Sequence, residues 1–405
     1  MICGYKYRIY PTNSQIVLIH KTFGCVRKMW NSLLAQSLDN DNKHYLPKAK
    51  RTKKQYSVKE IKQEYGYMYE VDALAFTNAN YNLHKAWSNH FRKNNPSEAP
   101  HFKKKRYAQS YQTNNLKSGN KQSIRIENKN IKLPKLGYVN IRLHRSFHGN
   151  IKTVTVRETA QGTFYATLVV DNQPDRPQLV KTKQAVGIDL NIKNGETVVT
   201  SDGEIISKPD TTRLEFKLHK QQKKLAKRLI VAHKLKKTVW ESMNYQKQRR
   251  KVAKTQAKIA RIRKDWLHKV TWNLVNEYDS IHIEDLNVSG MTHNHHLAKH
   301  IIDSLFGEFR RQLTYKCEWY GKRLVLVNRW YPSSQLCSNC GYRFKGTKDL
   351  NVREWVCPQC GKHHSRDVNS LKISTGSITK YSVSNGLASL IKLIIKLPFN
   401  YYNTI

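Results

Sequence analysis

Residues 337–370 read CSNCGYRFKGTKDLNVREWVCPQCGKHHSRDVNS, and the rest of the chain falls into place around them. Cys337-x2-Cys340 and Cys357-x2-Cys360 are each followed by a glycine, Gly341 and Gly361, with 16 residues between Cys340 and Cys357. Each pair predicts a knuckle whose glycine permits the tight backbone after it. Four thiolates satisfy tetrahedral Zn²⁺ and leave no open position for catalysis, so the zinc is structural. Redox dithiols and an iron–sulfur cluster are the competing readings, and the knuckle glycines favour zinc. His363 and His364 are redundant as ligands and read as contacts to DNA or to the Asp367 loop. Arg366 reads either as a contact to a scissile phosphate or as the partner of an acid.

Asp367 is one of three acids in suggestive places. Asp189 ends the apolar run AVGIDL (185–190), a buried-type strand that pairs with ETVVTS (196–201) as a hairpin. Glu284 follows the strand DSIHI (279–283). A carboxylate on a buried strand costs free energy unless a cation or donors compensate it. Strand-edge caps and salt bridges to Lys or Arg are the plain alternatives. Catalytic groups gather at strand ends in α/β folds. Hydrolysing a phosphodiester calls for an activated water and a stabilised leaving oxygen. Two Mg²⁺ ions about 3.5–4 Å apart supply both, and Mg²⁺ takes carboxylate oxygens. Asp285 points the opposite way from Glu284 in an extended strand. Asp202 and Glu204 read as solvated.

The surrounding composition suits that chemistry. Among 405 residues there are 72 Lys and Arg against 29 Asp and Glu, a formal net charge of +43. Such a surplus suits a polyanion. No 18-residue apolar run spans a bilayer, and MICGYKYRIYP lacks a signal-peptide core. Cysteines spaced for metal in such a chain point to a reducing compartment, here the cytoplasm, with association to the nucleoid. Cys3, Cys25 and Cys317 read as small buried hydrophobes.

Four domains are expected. Residues 1–180 form an N-terminal β-barrel or sheet for nucleic-acid recognition, with a helical insertion over about 12–100. Residues 5–10 are a strand; Ile16, Leu18, Ile19, Phe23, Val26 and Trp30 recur at helical spacing; a second helix covers about 73–92. FKKKR (102–106) offers Lys103, Lys104, Lys105 and Arg106 to phosphates, and Tyr107 and Tyr111 to bases. Strand patterns fill 122–170, and a polar linker covers 171–183. Residues 181–330 hold the core, with two basic antiparallel helices over about 211–275 joined near 241–244. Residues 331–362 are the ribbon. Residues 363–405 carry the third acid and an apolar tail.

YKYRIYPTNSQ (5–15), FKKKR, GIDLNIK (187–193), IHIEDLNVSGM (281–291), the run from Phe309 through CSNCG, and REWVCPQCGKHHSRDVNS (353–370) together resemble the TnpB (OrfB) family of insertion-sequence proteins, relatives of type V CRISPR effectors. The resemblance covers about residues 5–370. It implies an α/β RuvC-like (RNase-H-type) nuclease core with an inserted zinc ribbon, after an N-terminal wedge-like barrel. It implies a guide RNA from the element's end, a double-stranded DNA target cut beside a short adjacent motif, and one copy of the chain per RNA complex. Asp189, Glu284 and Asp367 then match the three catalytic acids. Ser365 departs from the family's usual Asp. Residues 369–373, Asn-Ser-Leu-Lys-Ile, are shorter and changed from the usual Asn-Ala-Ala-x-Asn-Ile, which leaves open how that helix packs. A guided repressor that no longer cuts, a guide-independent transposase accessory and an RNA-processing protein are the alternatives.

Overall fold

The structure is a computed structural model that describes residues 2–42, 57–93, 97–106, 108–118, 121–171, 177–190, 196–287, 305–328, 331–349 and 351–374, with residues 174 and 290. Contacts divide the chain into two units, Met1–Asp175 with Gln221–Lys254, and Arg176–Lys220 with Thr255–Ile405. The apolar tail after residue 374 lies outside the described residues.

In the first unit, β1 (Cys3–Tyr10) alternates, burying Cys3, Tyr5, Tyr7 and Ile9. Helix α1 (Asn13–Asn42) starts at a capping box. The Thr12 hydroxyl accepts from the Gln15 N–H at 3.3 Å, and Gln15 Oε1 accepts from the Thr12 N–H at 3.0 Å. Ile19, Phe23, Val26 and Trp30 are buried along it, as their spacing predicts. Two further helices follow, α2 (Val58–Glu64) and α3 (Ala73–His90). The strands are β2 (Gln109–Asn114), β3 (Lys117–Ser118), β4 (Lys121–Gln122), β5 (Arg125–Glu127), β6 (Asn130–Leu133), β7 (Gly137–Arg142), β8 (Ile151–Glu158) and β9 (Phe164–Val170). Six of them and β1 form an antiparallel sheet in the order β2-β8-β9-β1-β7-β6-β5. Its edges, β2 and β5, are unpaired with each other among the described residues. Of the expected barrel or sheet, the described residues form an open sheet.

The second unit centres on β10 (Ala185–Leu190), β11 (Glu196–Thr200), β12 (Ile205–Ser207), β13 (Ser280–Glu284) and β14 (Arg323–Val327), in the order β12-β11-β10-β13-β14. β12, β11 and β10 run antiparallel, whereas β10, β13 and β14 are parallel. Between β12 and β13 the chain makes α4 (Thr212–Lys234) and α5 (Met243–Glu277). These are antiparallel, as predicted. Arg228 donates to the Asn244 carbonyl at 2.7 Å, and Arg263 to Glu215 at 2.8 Å. Their connection lies over 235–242, slightly earlier than the sequence suggests, because Lys236 adopts φ +52° and stops α4.

Helix α6 (Phe306–Tyr320) precedes β14. Alternation sends Val186 and Ile188 of β10, and Ile281 and Ile283 of β13, into one core with Leu267, Val270 and Leu274 of α5 and Phe309 and Leu313 of α6. That leaves Gly187, Asp189, His282 and Glu284 on the opposite sheet face. Helix α7 (Arg366–Ser374) lies on that second face. A Cβ at Gly187 would meet the Leu371 carbonyl oxygen at 2.5 Å. No helix among the described residues is long and apolar enough to cross a membrane.

Candidate active site and metal centre

The two strand-borne acids come together by register. Ile188 of β10 pairs with Ile283 of parallel β13. The next residues, Asp189 and Glu284, therefore lie side by side at the C-terminal ends of adjacent strands, on the α7 face. Glu284 is half-buried. Desolvation and the neighbouring Asp189 charge both push its pKa up. Among the described residues the Glu284 carboxylate has no cation and no hydrogen-bond donor. Asp285 points elsewhere, as predicted, and pairs with Arg310. Asp202 is exposed, as the solvated reading expects, and accepts from the Tyr278 hydroxyl at 2.8 Å.

Asp367 is the second residue of α7, the helix packed on β10 at Gly187. Its side chain lies outside the described residues. The altered segment after it still builds helix, with Leu371 and Ile373 buried. Arg366 donates to the backbone carbonyl of Asp349 at 3.1 Å, and to no carboxylate among the described residues.

The four cysteines converge, their sulfurs all within 4.8 Å of one another. Cys337–Cys360 and Cys340–Cys357 are each 3.6 Å apart. Tetrahedral zinc with ~2.3 Å bonds separates sulfurs by about 3.8 Å, so the donor set fits Zn²⁺. Burial raises the thiol pKa of Cys337 and Cys340, while a hydrogen bond from Asn339 lowers that of Cys360. His364, on β16 (His363–Ser365) opposite β15 (Glu354–Val356), departs from the expected role. It is buried, with Nε2 3.0 Å from Cys337 Sγ and its ring against Trp355. It therefore does not present itself to DNA.

Sequence reasoning missed the link between ribbon and helix. Asn369, 1% exposed, accepts from the Ser338 N–H at 2.8 Å and donates to the Leu336 carbonyl at 2.6 Å. Ser370 donates to Ser333 at 2.7 Å. The first knuckle thus holds the helix that begins with Arg366 and Asp367. The sequence signal for Asn369 was its place in the run after the acid. For Gly187 it was a glycine inside a strand pattern, which often marks close backbone approach.

The basic run sorts unevenly. Lys103 is tied through its backbone to Asn31, and its ammonium stands 3.6 Å over the Trp30 ring, where desolvation lowers its pKa. Lys104, Lys105 and Arg106 are exposed, with the Lys105 ammonium 4.9 Å over Trp240. Tyr111 is buried, 6.0 Å from Phe23, and cannot stack on bases as expected. It sits on an inward position of β2, which alternation around residue 111 should have shown. Tyr107 lies outside the described residues.

Family models match three segments: "Probable transposase" over residues 167–295, "Cas12f1-like, TNB domain" over 306–372 and "Helix-turn-helix domain" over 1–41. The last segment is in fact β1 followed by one uninterrupted helix. A Streptomyces pristinaespiralis protein named "Putative RNA-guided DNA endonuclease" is 33% identical over 91% of this chain and 87% of its own length. "Putative RNA-guided DNA endonuclease InsQ" of Escherichia coli K12 is 28% identical over 91% of this chain and 90% of its own. In fold, the chain is similar to the protein in a "Cas12f1-sgRNA-target DNA complex", with TM-score 0.51, 14% identity, and coverage of 92% and 98% of the two chains. Similarity of this extent, along nearly the whole sequence, places the protein: the chain belongs to the TnpB (OrfB) family of insertion-sequence proteins.

Proposed function

We propose that this chain is an RNA-guided DNA endonuclease whose hydrolytic centre is Asp189, Glu284 and Asp367, and that its second unit is a RuvC-like, RNase-H-type core interrupted by a zinc ribbon. The observation that carries the reading is the half-buried Glu284 carboxylate, set beside Asp189 with no compensating cation on Glu284 among the described residues. A half-buried carboxylate beside a second acid costs free energy that a divalent cation offsets. Their oxygen donors suit Mg²⁺. Magnesium, when bound there, supplies Lewis acidity toward the phosphodiester and an acidified water. Asp189 and Glu284 hold that charge at the strand ends, and α7 brings Asp367 onto the same sheet face. In the ribbon, Cys337, Cys340, Cys357 and Cys360 hold zinc, and His364 donates to the Cys337 thiolate.

The domain reading follows. Residues 1–180 are the wedge-like recognition domain, 181–330 the core with its helical hairpin, 331–362 the ribbon and 363–405 the closing segment. One copy of the chain binds one guide RNA in the cytoplasm and meets double-stranded DNA there. Lys104, Lys105 and Arg106 contact phosphates. The packed α7 supports a working centre over a repressor that no longer cuts.

The test is Mg²⁺-dependent cleavage of a plasmid library with a randomised adjacent motif. The protein is co-expressed with RNA from its flanking DNA, with Asp189→Ala and Glu284→Ala in parallel. Both variants should lose cutting by at least ~10³-fold while RNA and target binding persist. Undiminished cleavage by Asp189→Ala would remove it from the site. Target protection without cleavage by the unaltered protein would make it a guided binder.

A further inference from the structure

A cavity of about 480 Å³ within the first unit has no role in the acid site or the ribbon. Its walls come from α1, the basic run after residue 102, β2 and β8, Trp240 of the α4–α5 connection and the first turns of α5. Six cationic side chains line it, namely Arg27, Lys105, Arg106, Lys247, Arg249 and Arg250, against one carboxylate, Glu158. That carboxylate is already engaged by His20 at 3.0 Å.

The cations divide by duty. Arg27 donates to Gln109 Oε1 at 2.7 Å, and Arg249 to the Ala160 carbonyl at 3.0 Å. Lys105 lies over Trp240. These three brace the walls. Arg106, Lys247 and Arg250 have no carboxylate partner among the described residues. A cleft lined by one sign of charge concentrates the opposite sign. Trp240 also lines it and keeps 41% of its surface exposed. An indole platform beside uncompensated cations matches the two halves of a nucleotide, the base face and the phosphate. The volume falls in the ~300–1,000 Å³ range of small-ligand sites. Duplex nucleic acid could supply phosphates but not an open base face, since its bases are stacked inside.

We infer that this cleft is a binding site for a nucleotide of an unpaired strand, its phosphates on Arg106, Lys247 and Arg250 and its base on Trp240. The inference rests on the guided-nuclease reading for the strand's origin, either an unpaired stretch of the RNA or the displaced DNA strand. Its test does not depend on cleavage.

Full-length protein is titrated by fluorescence anisotropy with RNA and DNA single strands of roughly twelve nucleotides, within the ~4–16 such sites span, and with duplex, over a salt series. Lys247→Gln/Arg250→Gln should weaken single-strand binding and reduce the slope of log K against log salt by about 1.4, ~0.7 per lost phosphate contact. Trp240→Ala should weaken it roughly 5- to 150-fold with the slope unchanged. Trp240→Phe should recover part of that loss, which separates stacking from misfolding. Strands with abasic sites should not respond to Trp240→Ala. A larger effect on RNA assigns the cleft to the guide, and a larger effect on DNA to the displaced strand. Lys223→Gln/Lys227→Gln, exposed on α4 outside the cleft, is the control. Equal slope changes in the two pairs, an undiminished Trp240→Ala loss on abasic strands, or an equal loss on duplex would overturn the site.

Discussion

Lys316 is a cation where the fold has least use for one. It lies on α6, donates to the His268 carbonyl and the Thr271 hydroxyl at 2.8 Å each, and burial lowers its pKa to about 8. Unfolded lysine titrates near 10.5. Between those values the unfolded chain binds the proton that the folded chain has lost, so stability rises with pH across this window. The gain is on the order of 3 kcal/mol at most. Thermal melts from pH 7 to 11 should show that rise, and Lys316→Met should lack it. Asn369 is the other decisive single residue. Asn369→Leu leaves the Ser338 N–H and the Leu336 carbonyl unpaired, at a cost of about 1–3 kcal/mol for each group left buried. Under the proposed function it should lower cleavage while zinc content and RNA binding hold, as measured by metal analysis and filter binding. Unchanged cleavage would show that α7 is held well enough without it.

At the scale of elements, β10 and α7 meet backbone to backbone at Gly187. Gly187→Val puts a branched side chain where a single Cβ already reaches the Leu371 oxygen. Helix α7 must move away from the strand carrying Asp189. The expected outcome is loss of cleavage with target binding retained, and a variant that still cuts at the original rate would refute the close approach. The ribbon is an element of a different kind. Its apolar cluster is Cys337, Trp355 and Cys357, with Cys340, Phe344 and Val352 around them. Under the proposed zinc assignment, so small a core does not stand without the metal. Stripping zinc with a chelator should release Trp355, seen as a red shift of tryptophan emission absent in Trp355→Phe, and abolish cleavage. Readdition of zinc should restore both.

Over the whole molecule, the surplus of +43 makes association a matter of counterion release. Raising salt from 50 to 200 mM should cost target binding about 10³- to 10⁵-fold if six to ten phosphates are neutralised. A shallow dependence would mean that most of the basic surface stays in solvent. Catalytic rate at saturating target should change far less, because the acids at the strand ends gain nothing from distant charge once the strand is bound.

Much of this protein is legible in local chemistry. The knuckle spacing determined the cysteine cluster, since four thiolates and two glycines leave one sensible geometry. Alternation determined β1, short strand-forming runs determined β10 and β13, and helical spacing determined α1 and the α4–α5 pair, because periods of 2 and 3.6 follow from backbone geometry alone. The acids were legible as acids out of place, being carboxylates at the ends of apolar strands. Pairing decided the rest. Asp189 and Glu284 are 95 residues apart, and only the parallel register of β10 with β13 puts them side by side. Only the close approach at Gly187, and the bonds of Asn369 to the first knuckle, lay the helix of Asp367 on their face. The same limit explains His364, which composition offers to nucleic acid and packing takes inside. A side chain's partners come from segments distant in the chain, and local sequence carries no record of which segment arrives.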